Sequence, residues 1–322
     1  MYGNIRTYLD VKKNKIEDNW KKRPIVMDWL EHNSMESALS IIDSKVKNLC
    51  GLADGKLREW FLSGDKSFCN ITAERYVIDY LRSINQNIIN NLKGGGPDAI
   101  LKCKGEDSGI EVTTVNGFIA DWIFTEARLL SYLKEKNYRL DSSYQITYDY
   151  ERLNTEIRKK DYSAIYDYIE KVGENIIRGD SKALQQMQVT WQKTASNSGL
   201  IIWEHNAAQK FPIMKYLTQG LVSHLKTSKT KQLSRFPQNI VFVGANFCGP
   251  NNYLNPRIFD EIGRGGISYQ KEIGYIQDYL SKNLPASIVG LCYYIYDIAK
   301  ELPFYPLRMF WRNENYQIDI NL

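Results

Sequence analysis

The 322 residues are 43% hydrophobic and 25% charged, ordinary globular values that exclude a disordered or low-complexity chain. Its 42 Lys and Arg against 37 Asp and Glu leave a net charge of only +5. The longest apolar run, about Ala286–Tyr296, falls short of the roughly 18–20 residues that a membrane helix needs, so no membrane partner is expected.

The five cysteines, Cys50, Cys69, Cys103, Cys248 and Cys292, are scattered and include no Cys-x-x-Cys pair. That spacing argues against a disulfide framework or a zinc site and fits a reducing compartment. The first residues run into Lys12, Lys13 and Lys15 without an apolar stretch, so no secretory signal is expected. The charge is unevenly spread. From His205 to Phe259 there is no Asp or Glu, while Lys210, Lys215, Lys226, Lys229, Lys231, Arg235 and Arg257 give that segment +7 in a chain whose total is +5. Clustered cations of this kind gain affinity for phosphates by counterion release, so a polyanionic partner is expected.

Taken in chain order, residues 1–66 read as mostly helical, with helix-like apolar spacing in Ile25–Leu30, Ser37–Leu49 and Leu57–Leu62. A helix follows over Thr72–Ile84. Gly94-Gly95-Gly96-Pro97 then leads into a strand, Asp98–Cys103. A polar turn ending at Gly109 returns the chain into Ile110–Val115, so the two runs read as a β-hairpin. A helix over 118–135, a strand at Tyr144–Tyr150, a helical stretch over 153–178 and a strand at Gly199–Trp203 come next. Pro212 opens a helix to about Leu233. Asn239–Val243 and Ser287–Tyr296 read as buried strands on either side of a helix at Tyr269–Leu280. Helices alternating with strands point to an α/β fold. Residues 1–66 read as an N-terminal helical region and 67–322 as the main domain, with an α/β elaboration at about 118–200.

Three acids stand out. Glu74 shares a helix face with Val77, Ile78 and Leu81, so its carboxylate points along the stripe to be buried and needs a partner there. Asp98 opens the first hairpin strand. Glu111 lies in the second, on the same side as Thr113 and opposite to Val112. Two carboxylates on adjacent strands make an oxygen-rich site of the kind Mg²⁺ prefers, with positions left for water and a phosphate oxygen.

In this ordered set the chain resembles the PD-(D/E)xK nuclease superfamily, which includes many restriction endonucleases. The motif resemblance covers about residues 72–115. It implies a restriction-endonuclease-like core, a mixed central sheet flanked by helices, completed by strands 239–243 and 287–296. It implies that Asp98 and Glu111 are metal ligands for Mg²⁺, with Mn²⁺ able to substitute, and that Glu74 is the helix acid found in many members. The chain departs from the pattern at Thr113, where the usual residue is lysine; some relatives carry threonine there and place the lysine elsewhere. In the helix after Pro212 the stripe Leu217, Leu221, Leu225 continues onto Lys229 and Gln232, which makes Lys229 the candidate for that lysine. Lys231 is the fallback and Lys193 a more distant one. Lys215, Lys226, Lys231, Gln232 and Arg235 would line the phosphate backbone.

The resemblance and the chain's size together imply a metal-dependent endonuclease acting on double-stranded DNA, of the type II restriction class, in a bacterial or archaeal cytoplasm. A homodimer would follow if its target is palindromic. Two other readings stay open: a nuclease-fold nucleic-acid-binding module that has lost catalysis, which Thr113 allows, and an RNA-directed nuclease of phage defence. Other chemistries find no support. There is no Gly-x-x-x-x-Gly-Lys-Ser/Thr loop and no Gly-x-Ser-x-Gly, and His32, His205 and His224 are isolated along the chain.

Overall fold

The structure is a computed structural model that describes residues 2–17, 19–32, 35–49, 54–84, 87–90, 96–102, 105–114, 120–148, 162–195, 201–205, 233–246, 270–296 and 305–313. Its helices are α1 (Gly3–Val11), α2 (Ile25–Glu31), α3 (Glu36–Leu49), α4 (Asp54–Leu62), α5 (Asp65–Ile84), α6 (Ala120–Glu135), α7 (Tyr162–Arg178), α8 (Ser181–Gln186) and α9 (Gln270–Lys282). Its strands are β1 (Ile88–Asn90), β2 (Ala99–Leu101), β3 (Ser108–Thr114), β4 (Tyr144–Tyr148), β5 (Val189–Lys193), β6 (Ile201–His205), β7 (Gln238–Asn246), β8 (Ile288–Tyr296) and β9 (Tyr305–Trp311). The chain is α/β, with a mixed six-stranded sheet and helices around it. Among the described residues no helix is long and apolar enough to cross a membrane.

Two compact units divide the chain. The first takes residues 1–43, 61–65 and 117–210, and the second takes 44–60, 66–116 and 211–322. Most of the N-terminal helical region and the 118–200 elaboration, read separately from sequence, thus share one unit. A physical reason is Arg128 of α6, whose side chain is 1% exposed. Its Nε and Nη2 donate to the two carboxylate oxygens of Asp65 at 3.1 and 2.5 Å. Nη1 donates to Asp28 Oδ2 and to the Trp20 carbonyl, both at 2.8 Å, and Nη2 also to the Arg23 carbonyl at 2.8 Å. All five guanidinium N–H groups are thereby used. Burial opposes the charge, yet the two carboxylates, Asp65 foremost, hold the Arg128 pKa above its ordinary value. Tyr166 of α7 donates to Asp65 at 2.9 Å, and Arg23 donates to Asp28 from the other side.

Around this network Trp20 packs edge-on against Tyr132 and Tyr166, with ring centroids 5.3 and 5.8 Å away. Tyr132 fits against α7 because residue 173 is glycine; a Cβ there would lie 2.3 Å from the tyrosine ring. The unit's small sheet has the order β5-β4-β6, with β4 antiparallel to β5 and parallel to β6. Asp180 caps α8 by accepting from the Ala183 amide at 2.9 Å.

The sheet of the second unit runs β1-β2-β3-β7-β8-β9. Its centre, β3-β7-β8, is parallel, and the pairs β1/β2, β2/β3 and β8/β9 are antiparallel. Parallel strands are covered on both faces and read as continuous apolar runs. Ile240, Val241, Phe242 and Val243 are all fully buried, as are Ile288, Leu291 and Cys292. The expected strands at 239–243 and 287–296 are β7 and β8. The expected hairpin is β2/β3, and the helix expected over 72–84 starts earlier, at Asp65. The helix expected from Pro212 to about Leu233 falls almost wholly outside the described residues, as does the 153–161 part of the helical stretch before α7.

Arg128→Met strands two buried carboxylates, so it should lower the stability of the first unit by about 3–5 kcal/mol in chemical denaturation. Arg128→Lys should recover little, since an ammonium cannot reproduce the five-donor fork. A second test concerns His32, at the end of α2, whose Nε2 lies 3.2 Å from Ser131 Oγ. Burial first, and the Arg23 charge second, push its pKa down to about 4 from 6.5. The unfolded chain then binds the extra proton between those values, so this contribution is present above pH 6.5 and is lost as pH falls towards 4. The ring is only half-buried, so the loss should be about 1 kcal/mol after solvent screening. The pH dependence of His32→Gln, compared with the parent by thermal melting, should be flatter by that amount.

Candidate functional site

The hairpin that carries two of the three acids is set by a tight local geometry. Ala99, Ile100 and Leu101 of β2 oppose Ile110, Gly109 and Ser108 of β3. Continued by one residue, this register sets Asp98 opposite Glu111 on one face. Directly opposed residues have Cβ atoms about 4.5–5.5 Å apart. Val112 lies one residue beyond Glu111, past the last paired residues of the hairpin. Asp98 Oδ2 accepts its amide hydrogen at 2.9 Å. Asp98 is half-buried behind the buried Pro97, while Glu111 is fully buried.

Gly109 is required by close approach. A Cβ at that position would lie 2.3 Å from Asn239 Oδ1 and 3.2 Å from Pro97 Cγ. Asn239 opens β7 at an irregularity in its pairing with β8. Its Nδ2 donates to the carbonyls of Leu233 (2.7 Å), Phe236 (3.1 Å) and Ser287 (3.2 Å), and its backbone amide also donates to Ser287. The same asparagine therefore packs against the acidic hairpin and ties down residues 233–236, where Arg235 is exposed. On the other side of β3, Glu111 is paired in register with Val241, and Thr113 with Val243. Thr113 is 7% exposed, so the motif position held by lysine in the resembling family is here a small buried hydroxyl.

Glu74 is 5% exposed beside the fully buried Val77, Ile78 and Leu81, as its helix face requires. Its carboxylate is met by two cations. Lys56 of α4 donates to Oε2 at 2.8 Å, and the buried Arg75 donates to Oε1. Neither cation was singled out in the sequence. Arg75 is the next residue along the helix, whereas Lys56 comes from a separate helix and leaves no sequence signal. Among the described residues no group of three or more His, Cys, Asp or Glu side chains is gathered as a cation site would gather them. The structure thus offers an Asp98–Glu111 pair, with Glu74 held in its own ionic cluster.

Lys215, Lys226, Lys229, Lys231 and Gln232 lie outside the described residues. Lys193 belongs to the first unit and pairs with Asp141 at 2.8 Å. Hydrogen bonds from Lys193 and from Tyr144 hold the Asp141 carboxyl below its usual value, and the bond to Asp141 pushes the Tyr144 hydroxyl up to about 12. His32 and Ser131, distant in sequence, meet in space. The nearby acid, Asp28, bonds Arg128, Arg23 and Ser131 itself rather than His32, which is not the arrangement of a serine triad.

Compared with known proteins, the chain matches no family model, and no curated protein or solved structure matches it.

Glu74→Ala should leave Arg75 buried without its carboxylate and lower the stability of the second unit by about 3 kcal/mol. Glu74→Gln, which keeps the shape and one acceptor, should cost less. Urea denaturation of both variants measures the difference.

Proposed function

We propose that the protein is a metal-dependent endonuclease that hydrolyses phosphodiester bonds of double-stranded DNA, with restriction-endonuclease-like architecture. The observation that carries this reading is the β2/β3 register, which, extended one residue beyond the pair of Ala99 with Ile110, sets Asp98 just before β2 opposite Glu111 in a buried parallel strand. Two carboxylates at facing strand positions suit a hard divalent cation. Mg²⁺ is commonly held by one or two carboxylates plus water and substrate phosphate, so the donor set fits it. When bound, Mg²⁺ would supply a water of lowered pKa and polarise the phosphoryl group.

The chain's own residues supply position and charge. Asp98 is oriented by the Val112 amide, which fixes its carboxylate against the strand that carries Glu111. Glu74, ion-paired with Lys56 and Arg75, enters as a supporting acid. Lys229 is assigned to the attacking water. Lys215, Lys226, Lys231, Gln232 and the exposed Arg235 are assigned to the phosphate backbone, in keeping with the acid-free stretch that contains them. A cytoplasmic, dimeric type II restriction enzyme is the form of this reading that best fits the chain's length. Thr113 in place of lysine favours the second reading, a binding module that retains the architecture without cleavage.

Incubating a defined DNA with Mg²⁺ should give discrete fragments, with Mn²⁺ able to replace Mg²⁺. Asp98→Ala and Glu111→Ala should each reduce the cleavage rate at least about a hundredfold while DNA binding persists. Unchanged cleavage in both variants would remove the site assignment. Binding of DNA by the parent protein without any cleavage would favour the binding module, and cleavage of RNA alone would identify an RNA-directed enzyme.

A further inference from the structure

Between α9 and the end of β9 the second unit has an open groove of about 860 Å³. One wall is a single helix face, since Gly274, Gln277, Asp278 and Ser281 follow the three- and four-residue spacing of side-chain neighbours. The other wall includes Trp311 and Asn313. Trp311 stands opposite Gly290 in register, and a Cβ at 290 would lie 2.8 Å from its ring, so the indole is seated on strand β8. The ring is half-buried and also lines the groove.

The walls are clamped together. Arg312 donates from Nε to the Ile288 carbonyl at 3.0 Å, from Nη1 to Ser281 at 3.0 Å, and from Nη2 to Leu284 and Pro285 at 2.9 Å each. Its guanidinium is thus directed at the protein's own carbonyls at the end of α9, and Lys282 pairs with Asp278 at 2.5 Å. What lines the groove is a fixed aromatic plate flanked by two amides, a carboxylate and a hydroxyl, with its cations already engaged. Gly274 adds a further hint. Glycine weakens a helix interior relative to alanine. Among the described residues nothing lies within 4 Å of a Cβ built there, so packing against them does not call for it. Its bare backbone widens the groove.

The geometry points to a nucleobase site: an unstacked base lies on Trp311 while Gln277, Asn313 and Asp278 read its edge. Base–aromatic stacking tolerates any base, and amides that both donate and accept match base edges. Among the described residues the groove offers no uncommitted cation, which suits the neutral base rather than the phosphate. The inference rests on the nucleic-acid reading above and adds to it a place where a single base is held out of the stack.

Equilibrium dialysis of the full chain against each of the four deoxynucleosides, and against a neutral disaccharide, tests the site. At least one nucleoside should bind and quench tryptophan emission. Gly274→Leu, which adds bulk at an exposed helix position without entering the core, should weaken that binding at least about tenfold while the melting temperature holds or rises. Trp311→Ala should weaken it to a similar degree, and Gly274→Leu keeps the test valid if Trp311→Ala does not fold. Failure of every nucleoside to bind, binding unchanged in Gly274→Leu, or preference for the disaccharide would overturn the site. Phosphate-free nucleosides need neither metal nor the acidic pair, so failure here leaves the cleavage assay standing, and failure of cleavage leaves this one standing.

Discussion

A charge removed from water must be met by charges or dipoles that are fixed in place, and each unit of this protein is arranged around that demand. In the first unit the demand is Arg128, whose planar fork is satisfied by two acids and two backbone carbonyls drawn from well-separated parts of the chain. The segment 61–65 belongs with this unit, and its last residue, Asp65, supplies the bidentate carboxylate. In the second unit the demand falls on Glu74, and Lys56 and Arg75 answer it. The half-buried Arg312 caps carbonyls that the end of α9 leaves without helical partners.

The sheet of the second unit sets where the acidic hairpin lies. Its three parallel strands are enclosed on both faces, which explains why β7 and β8 are almost wholly apolar. Against that background the fully buried Glu111 is conspicuous, and it stands beside the end of β2, where the Asp98 side chain accepts the Val112 amide. Glycine at 109 and asparagine at 239 allow β3 and β7 to meet at their entrance, and the asparagine also holds residues 233–236 within the basic segment. The acidic pair and the start of β7 are therefore parts of one local arrangement.

Much of this was legible in the sequence because it is local. The Asp98–Glu111 relation follows from a short hairpin, whose turn fixes its register, and the burial of Glu74 follows from helical spacing. The long apolar runs of β7 and β8 read as buried strands for the same reason. What was not legible depends on distant partners or on edges. Arg128 sits in an amphipathic helix and reads as a surface cation until Asp28 and Asp65 are placed beside it. Lys56 gives no sign that it serves Glu74. The strands β1, β5 and β9 are short or interrupted: β1 has three residues, β5 alternates through Thr190 and Gln192, and β9 contains Pro306, which a sheet accepts at an edge. The grouping of 1–43 with 117–210 is likewise a matter of contacts between remote segments.

The parallel pairing of β3 with β7 has a consequence for synthesis. The whole of residues 117–210 is made between the two strands, so the hairpin leaves the ribosome well before its neighbour exists. Every segment of the first unit is by then available, while β3 still presents one open edge. An open strand edge is a template for aberrant pairing, and a charge pointing inward is one of the ways natural sheets deter it. Glu111 is such a charge. Before β7 arrives, a carboxylate there would make the waiting edge costly for a foreign apolar strand to cover.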